Sequence, residues 1–215
     1  IYGLTKGQYS PTFEVNKFTK SSPMGSIDHP FNPAALAMGA DVSFVARSMD
    51  RDPKHLQATL TRAEKHKGTS FVEIYQNCNI FNDGAFEIFT EKATKPLHAL
   101  FVEQGKPLLF GANNEMGVRF DGMRPEVVSI GENYSADDMW IHDETDFYKA
   151  QILTRLFDNP SEVGAIFPRP FGVFYTADRP CYEDMMALQI EEAIATKGKG
   201  DLDKLIRGKE VWEIQ

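Results

Sequence analysis

A strand–helix–strand run over residues 41–75 limits the fold more than any other feature of the sequence. Residues 41–47 alternate in polarity and predict a strand, and residues 71–75 predict a second one. Between them, residues 53–67 predict a helix that Gly68 ends. The apolar residues Leu56, Leu60 and Ala63 are predicted to share one face of this helix. Strands joined by a helix form a parallel, helix-covered sheet, so the sequence predicts an α/β fold.

Composition and charge exclude several classes of function. The chain has 215 residues, 42% of them hydrophobic, and a net charge of -8, which argues against nucleic acid as the main partner. No apolar run approaches the roughly 20 residues that cross a bilayer. Cys78 and Cys181 are the two cysteines and lie far apart in sequence. They form no disulfide framework, which indicates a reducing, cytoplasmic setting.

Beyond residue 85 the pattern changes to short strands and helices. Two hairpins are predicted, one pairing residues 97–101 with 107–110 and one pairing 118–120 with 127–130. Thr145 or Asp146 is expected to cap a helix, and another helix is expected to begin near Pro180. Its inward face is predicted to carry Tyr182, Met186, Ile190 and Ala193. The last third of the chain is expected to be an extension that wraps another part of the protein.

The segment Ile1–Gln8 has the composition of an anion-binding turn. It contains two glycines, a threonine, a lysine and a glutamine after an apolar Ile-Tyr pair. Glycine lets backbone N–H groups approach a phosphate, and Lys6 adds a cation. The P-loop spacing Gly-x-x-x-x-Gly-Lys-Ser/Thr is missing. A simple turn after an edge strand therefore stays an alternative on these residues alone.

Other polar residues are expected to have structural roles. His55 and His66 lack metal-ligand spacing and are expected on the surface of a charged helix. The acidic segment 137–146 lacks the glycine and ligand order of a calcium loop and is interpreted as a solvated loop and helix cap. Arg47 ends a predicted strand, where an anion contact and a surface ion pair are both open. Cys181 is interpreted as structural.

Three stretches of the chain together resemble one family. They are residues 1–12, residues 19–26 and residues 72–83. They resemble the thiamine-diphosphate-binding β subunit of 2-oxoacid:ferredoxin oxidoreductases, most closely the 2-oxoglutarate type, over about the first 90 residues. The resemblance implies a three-layer thiamine-diphosphate-binding fold with a central, largely parallel sheet. Residues 1–90 would form the C-terminal half of that domain, and residues 91–215 a C-terminal extension packing on the domain or a partner subunit.

The resemblance also gives the first stretch a role. The backbone carbonyl of Ile1 would bind Mg²⁺, which prefers oxygen ligands. The diphosphate would be lined by Tyr2, Gly3, Leu4 and Thr5. Lys6 matches a lysine that faces the substrate carboxylate in 2-oxoglutarate-type enzymes, and Leu4 stands where pyruvate-type relatives tend to carry asparagine. The Leu4 and Lys6 pair therefore favours a dicarboxylic 2-oxoacid.

Cys78 has two interpretations. From its residue type alone it would be a small buried apolar side chain. The resemblance instead assigns it as the isolated fourth cysteine ligand of a 4Fe–4S cluster. The family's other three cysteines and its Gly-Asp-Gly magnesium segment are not among these 215 residues. We therefore expect the chain to be a piece that lacks an upstream half.

The activity implied by the resemblance is oxidative decarboxylation of a 2-oxoacid. Coenzyme A would accept the acyl group, ferredoxin the electrons, and an α subunit would complete an assembly expected to be α2β2. Four alternatives stay open: pyruvate as substrate, a broad 2-oxoacid specificity, a non-oxidative thiamine-dependent decarboxylase or synthase, and a non-catalytic assembly subunit. Neither nucleic acid nor a membrane is an expected partner.

Overall fold

The computed structural model of the protein describes residues 8–80, 82–156 and 167–209, together with residues 212 and 214. By its contacts the chain divides into two compact units, residues 1–178 and residues 179–215. The boundary expected at residue 90 belongs to the family domain and stays a prediction.

The first unit contains most of the secondary structure. Its elements are α1 (Pro33–Gly39), β1 (Phe44–Met49), α2 (Pro53–Lys65), β2 (Ser70–Tyr75), α3 (Glu87–Thr90), α4 (Lys95–His98), β3 (Ala99–Phe101), β4 (Leu109–Phe110), β5 (Met116–Asp121), β6 (Arg124–Ser129), α5 (Phe147–Thr154) and β7 (Arg169–Thr176). The second unit contains α6 (Tyr182–Lys197) and α7 (Leu202–Arg207). The predicted run of strand, helix and strand is confirmed as β1, α2 and β2.

The main sheet has the strand order β2-β1-β7-β3. β1 and β2 are parallel, as the connecting helix α2 predicts, and β3 is parallel to β7. β7 runs antiparallel to β1 and joins these two pairs. The sheet is thus mostly parallel, with two parallel pairings of three. All six residues of β1 are buried, as expected of a central strand covered on both faces.

Gly172 allows β7 to pack closely against the chain beyond β3. Its φ is +132°, and a Cβ added there would lie 2.5 Å from the backbone oxygen of Val102. The backbone N–H of Val102 donates to the Phe171 carbonyl at 2.8 Å. The close approach of Gly172 to the Val102 oxygen and the positive φ of Gly172 both require glycine.

The three-stranded sheet has the order β4-β5-β6. Its β5–β6 hairpin, closed by the pair Asp121 and Arg124, confirms the second predicted hairpin. The first predicted hairpin is wrong, because β3 pairs with β7 in the main sheet and β4 pairs with β5. Residues 99–101 complete the edge of the main sheet, a long-range pairing that local sequence does not encode.

The predicted apolar face of α2 only partly faces the core. Ala63 packs against a buried cluster of the sheet, whereas Leu60 is 43% exposed and Thr59 is the buried residue of this helix. Polar contacts orient this side of the helix towards β1. His55 Nδ1 lies 2.8 Å from Ser48 Oγ, and His66 Nε2, at the end of the helix, lies 2.8 Å from Ser43 Oγ. These contacts also correct the expectation that both histidines are surface residues.

Two regions follow their sequence-based interpretations more closely. Asp146 caps α5 by accepting a hydrogen bond from the Lys149 N–H at 3.0 Å, and Ala150 and Leu153 of that helix are buried. In the second unit, α6 begins at Tyr182, as expected near Pro180. The prediction of an inward face on α6 is wrong, because none of its residues is buried.

Candidate functional site at the carboxyl edge of the main sheet

Two loops follow the parallel strands β1 and β2 and meet at one edge of the sheet. The Asp50 N–H donates to the Tyr75 carbonyl at 3.0 Å, and the Asn77 N–H donates to Asp50 Oδ2 at 3.3 Å. These two bonds join the loop after β1 to the loop after β2. Ligands of open α/β sheets bind at the carboxyl ends of the strands. The loop over residues 76–84 therefore lies at the edge of the sheet where such ligands bind.

Cys78 lies in this second loop, three residues beyond the end of β2. Its side chain is partly exposed and is a thiol, as is that of Cys181. The Cys78 carbonyl accepts a hydrogen bond from the Asn82 N–H at 2.9 Å, which closes a tight turn beneath the thiol-bearing residue. A partly exposed thiol at this edge is chemically suited to a metal-sulfur bond, whereas a fully buried one would be inert.

Asn77 connects the two ends of the Cys78 loop. Its Nδ2 donates to Asp83 Oδ1 at 2.8 Å, and its Oδ1 accepts from the Gly84 N–H at 2.9 Å. Gly84 has a φ of +76°, which suits glycine at this turn. The amide thus fixes the backbone next to Cys78. Sequence reasoning missed this role, although the Asn-Asp-Gly run over residues 82–84 is a turn signal.

Aromatic rings form the apolar floor beneath this edge. Tyr75 stacks on Phe86 with ring centroids 4.4 Å apart and meets Phe171 edge-on at 5.5 Å. Arg169, at the start of β7, donates to the Tyr75 hydroxyl at 2.6 Å and lies 5.1 Å from the Phe89 ring centroid. This cluster packs at the end of β2, from which the Cys78 loop continues.

Arg47 forms an ion pair with a carboxylate, but it is buried within the sheet, so the interpretation of a surface ion pair is wrong about its position. It is 1% exposed, and its Nε donates to Glu73 Oε2 on β2 at 2.6 Å. Its Nη1 donates to the Pro170 carbonyl at 3.1 Å. A buried guanidinium requires such partners. The pair therefore ties β1, β2 and β7 together behind the candidate site.

An ion pair lies beside the loop after β1. Lys95 Nζ is 3.1 Å from Asp52 Oδ2, and the same ammonium is 4.7 Å from the Phe101 ring centroid. Partial burial raises the pKa of the Asp52 carboxyl, but hydrogen bonds from Lys95 and from the His55 N–H outweigh burial and lower that pKa overall. Burial lowers the pKa of His55, so the ring beside this pair favours its neutral form.

The acidic segment 137–146 forms a loop and a helix cap as predicted, but it is not solvated throughout, because His142 and Glu144 are buried. Asp138 accepts from the Ser135 N–H at 2.8 Å, and Asp146 caps α5. The Glu144 carboxylate accepts hydrogen bonds from both terminal nitrogens of Arg62, at 2.9 and 2.5 Å. Within the described part of the chain, no group of three or more His, Cys, Asp or Glu side chains is placed to hold a metal ion.

The predicted diphosphate and substrate residues lie outside the described residues. They are Ile1, Tyr2, Gly3, Leu4, Thr5 and Lys6. The polar segment that follows them includes a loop over residues 16–26. In it the Asn16 N–H donates to the Ser26 carbonyl at 2.7 Å, and the Ser26 N–H donates to the Lys17 carbonyl at 3.1 Å. Of the predicted site residues, the structure thus places Cys78.

Comparison with known proteins defines the class first. Residues 1–74 match the family described as the C-terminal TPP-binding domain of thiamine pyrophosphate enzymes. A solved structure, the 2-oxoglutarate:ferredoxin oxidoreductase from Magnetococcus marinus with 2-oxoglutarate, coenzyme A and succinyl-CoA bound, has a TM-score of 0.62. The two share 24% identity over 98% of this chain and 55% of that chain. This likeness confirms the predicted α/β fold of a thiamine-diphosphate-binding domain.

Sequence relatives show which enzyme subunits the chain is similar to. The chain is 40% identical, over its whole length, to the 2-oxoglutarate oxidoreductase subunit KorB of Mycobacterium tuberculosis, and covers 57% of that subunit. It is 45% identical over 83 residues to the 2-oxoacid:ferredoxin oxidoreductase subunit beta of Saccharolobus solfataricus, covering 39% of this chain and 27% of that one. The chain is thus similar to subunits named for 2-oxoglutarate oxidoreductase and 2-oxoacid:ferredoxin oxidoreductase. It spans little more than half the length of the Mycobacterium tuberculosis relative.

Proposed function

We propose that the chain is part of the thiamine-diphosphate-binding β subunit of a 2-oxoglutarate:ferredoxin oxidoreductase. The reaction converts a 2-oxoacid, coenzyme A and oxidised ferredoxin into acyl-CoA, CO₂ and reduced ferredoxin, with 2-oxoglutarate as the 2-oxoacid. The observation that carries this proposal is the 40% identity over the whole chain to a 2-oxoglutarate oxidoreductase subunit. The other curated relatives named for 2-oxoglutarate include a synthase subunit of Archaeoglobus fulgidus, 38% identical over 78 residues.

The substrate preference is assigned to the first stretch of the chain. Lys6 supplies a cation for the second carboxylate of 2-oxoglutarate, and Leu4 favours this dicarboxylic substrate over pyruvate. A carboxylate in a site from which water is excluded needs a charged partner, so a lysine here selects for the longer substrate.

The same stretch holds the cofactor. The segment Tyr2–Thr5 lines the diphosphate, and the carbonyl of Ile1 is an oxygen ligand of Mg²⁺. When bound, thiamine diphosphate supplies a nucleophilic carbon and an electron sink. The chain's own residues bind and orient the diphosphate and neutralise the substrate carboxylate.

Cys78 is assigned as one ligand of a 4Fe–4S cluster. Its thiol is partly exposed at the carboxyl edge of the sheet, in a loop that Asn77 fixes at both ends. Such a cluster takes four thiolates, so the other three come from outside the described residues.

The family name implies an α subunit, and we propose that the two form an α2β2 assembly in the cytoplasm. Ferredoxin and coenzyme A complete the reaction. Among the described residues, no helix has the length and apolar character needed to cross a membrane.

The proposal is tested on the purified complex of both subunits. Iron and acid-labile sulfide are measured together with 2-oxoglutarate-dependent reduction of ferredoxin. We expect Cys78→Ala to abolish ferredoxin reduction and deplete iron and sulfide while thiamine diphosphate still binds. Cys181→Ala, the matched control, should change neither. A wild-type complex without iron and sulfide would contradict the oxidoreductase and favour a non-oxidative decarboxylase or an assembly subunit. Unchanged iron and electron transfer in Cys78→Ala would contradict the ligand assignment.

A further inference from the structure

Asp50, the residue directly after β1, contacts the end of β2 at two points. Its backbone N–H donates to the Tyr75 carbonyl at 3.0 Å, and its side-chain Oδ2 accepts from the Asn77 N–H at 3.3 Å. The two contacted residues lie on either side of Gln76, and Cys78 follows Asn77 directly. A single residue therefore holds the chain at the point where it leaves β2 towards Cys78.

The Asp50 carboxylate takes the place of a main-chain acceptor. The parallel pairing of β1 with β2 ends at Met49 and Tyr75. If that pairing continued by one step, the Asn77 N–H would donate to the main-chain carbonyl of Asp50. The chain instead turns after β1, where the Asp52 N–H donates to the Met49 carbonyl at 3.4 Å. The Asp50 side chain thus extends the hold on β2 as far as Asn77.

The turn is short because α2 begins at once. Asp52 caps this helix by accepting from the His55 N–H at 3.2 Å, and Pro53 is its first residue. The backbone of β1 therefore cannot run on beside the loop over residues 76–84, and a side chain makes the contact instead. Aspartate and asparagine both carry an oxygen at the position that this contact uses, whereas alanine has none.

The Asp50 contact acts on the backbone that carries Cys78. Asn77 uses its side chain to hold the far end of the loop, at Asp83 and Gly84, while its backbone N–H is bound by Asp50. Asn77 is thus fixed from two sides, which gives the peptide unit between it and Cys78 a defined direction. Ligands of a metal site depend on such supporting contacts, because these hold the ligand atom in the geometry that the metal requires.

We propose that Asp50 is a positioning residue for Cys78, and that its carboxylate oxygen sets, through the Asn77 backbone, the place from which the Cys78 thiol binds the 4Fe–4S cluster. The hydrogen bond supplies this effect, and the negative charge of Asp50 does not. This role rests on the proposed function of Cys78 as a cluster ligand. Asp50 acts through Asn77 and is not itself assigned as a ligand.

Substitutions at Asp50 separate the hydrogen bond from the charge. Asp50→Asn keeps an oxygen acceptor and loses the charge, whereas Asp50→Ala loses both. In the purified complex of both subunits, iron release to a chelator should be about two- to tenfold faster in Asp50→Ala, the range that corresponds to one lost hydrogen bond. Asp50→Asn should stay within about twofold of wild type. The electron paramagnetic resonance spectrum of the reduced cluster should change in Asp50→Ala and stay that of wild type in Asp50→Asn.

Glu91→Ala is the matched control, because it also removes a carboxylate from this edge of the sheet. Glu91 Oε1 lies 4.0 Å from Arg51 Nη2, next in sequence to Asp50, and both side chains are exposed. An exposed pair at this distance contributes little, so this variant should release iron at the wild-type rate. The urea midpoint and the thiamine diphosphate content should change little in any of the three variants.

A measurement without the cluster separates the role of Asp50 from the proposed function. In the complex stripped of iron, a thiol reagent should modify Cys78, followed by peptide mass mapping, about two- to tenfold faster in Asp50→Ala than in wild type or Asp50→Asn. A wild-type complex that never contains iron overturns the proposed function, and this proposal with it. Iron in the wild-type complex, together with equal rates in Asp50→Ala and Glu91→Ala, overturns the role of Asp50 alone. An Asp50→Asn variant as fast as Asp50→Ala does the same.

Discussion

Replacing Asn77 by alanine should loosen the Cys78 loop without unfolding the protein. The substitution removes two hydrogen bonds, one to Asp83 at 2.8 Å and one from the Gly84 N–H at 2.9 Å. Both are exposed to solvent, so each contributes about 0.5 to 1 kcal/mol. The loop therefore opens more easily by about 1 to 2 kcal/mol, which corresponds to an opening equilibrium roughly 5 to 30 times more favourable.

The accessibility of the Cys78 thiol reports this opening directly. In a Cys181→Ser background and without bound cluster, the rate at which a thiol reagent modifies Cys78 should rise in Asn77→Ala by that same factor. The urea midpoint of global unfolding should change little, because the loop lies at the edge of the sheet. This combination separates local opening from a general loss of stability.

Asn79→Ala is the control for this measurement. Asn79 is exposed in the same loop and is the same residue type. Its variant should react at the wild-type rate. If Asn77→Ala reacts no faster than Asn79→Ala, Asn77 does not position Cys78, and the loop is held by its backbone turn alone.

Three further predictions address the core and the substrate. Glu73→Ala removes the carboxylate that the buried Arg47 contacts at 2.6 Å and should lower the free energy of unfolding by about 3 kcal/mol in urea titrations; a loss below about 0.5 kcal/mol would contradict the role of this pair. Burial lowers the pKa of His142 from its ordinary 6.5, so the unfolded state binds a proton more readily and stability falls as pH drops below that value. His142→Gln should flatten this fall, and an unchanged slope would contradict it. Lys6→Ala should raise KM for 2-oxoglutarate far more than for pyruvate, and equal effects would refute its selective role.

The sequence alone predicted the features that depend on neighbouring residues. One helix start was predicted from its capping residue, Asp146, and two further helices begin with the same kind of local cap. Asn32 accepts from the Ala35 N–H at 3.0 Å, Asp52 from the His55 N–H at 3.2 Å, and Asp146 from the Lys149 N–H at 3.0 Å. The β5–β6 turn is local as well. It needs a residue that accepts a positive φ, and Gly122 has a φ of +60°. Caps and turns are local, so a single sequence encodes them.

The resemblance to 2-oxoacid:ferredoxin oxidoreductase β subunits was also readable from the sequence, because three motifs in a fixed order carry it. The described part of the structure adds to that resemblance the position of one motif, the Cys78 loop at the carboxyl edge of the sheet. It also adds the contacts of Asn77 that hold the loop, which no spacing rule would have assigned.

Tertiary structure alone decided the contacts between distant segments. β7 lies more than 120 residues after β1 and separates β1 from β3, which converts a predicted hairpin strand into a sheet edge. Arg47 became a buried residue because Glu73 and the Pro170 carbonyl surround its guanidinium. The polar side of α2 faces β1 because His55 and His66 form hydrogen bonds with Ser48 and Ser43. Periodicity records which residues of an element share a face, whereas the partner of that face is set by the rest of the fold.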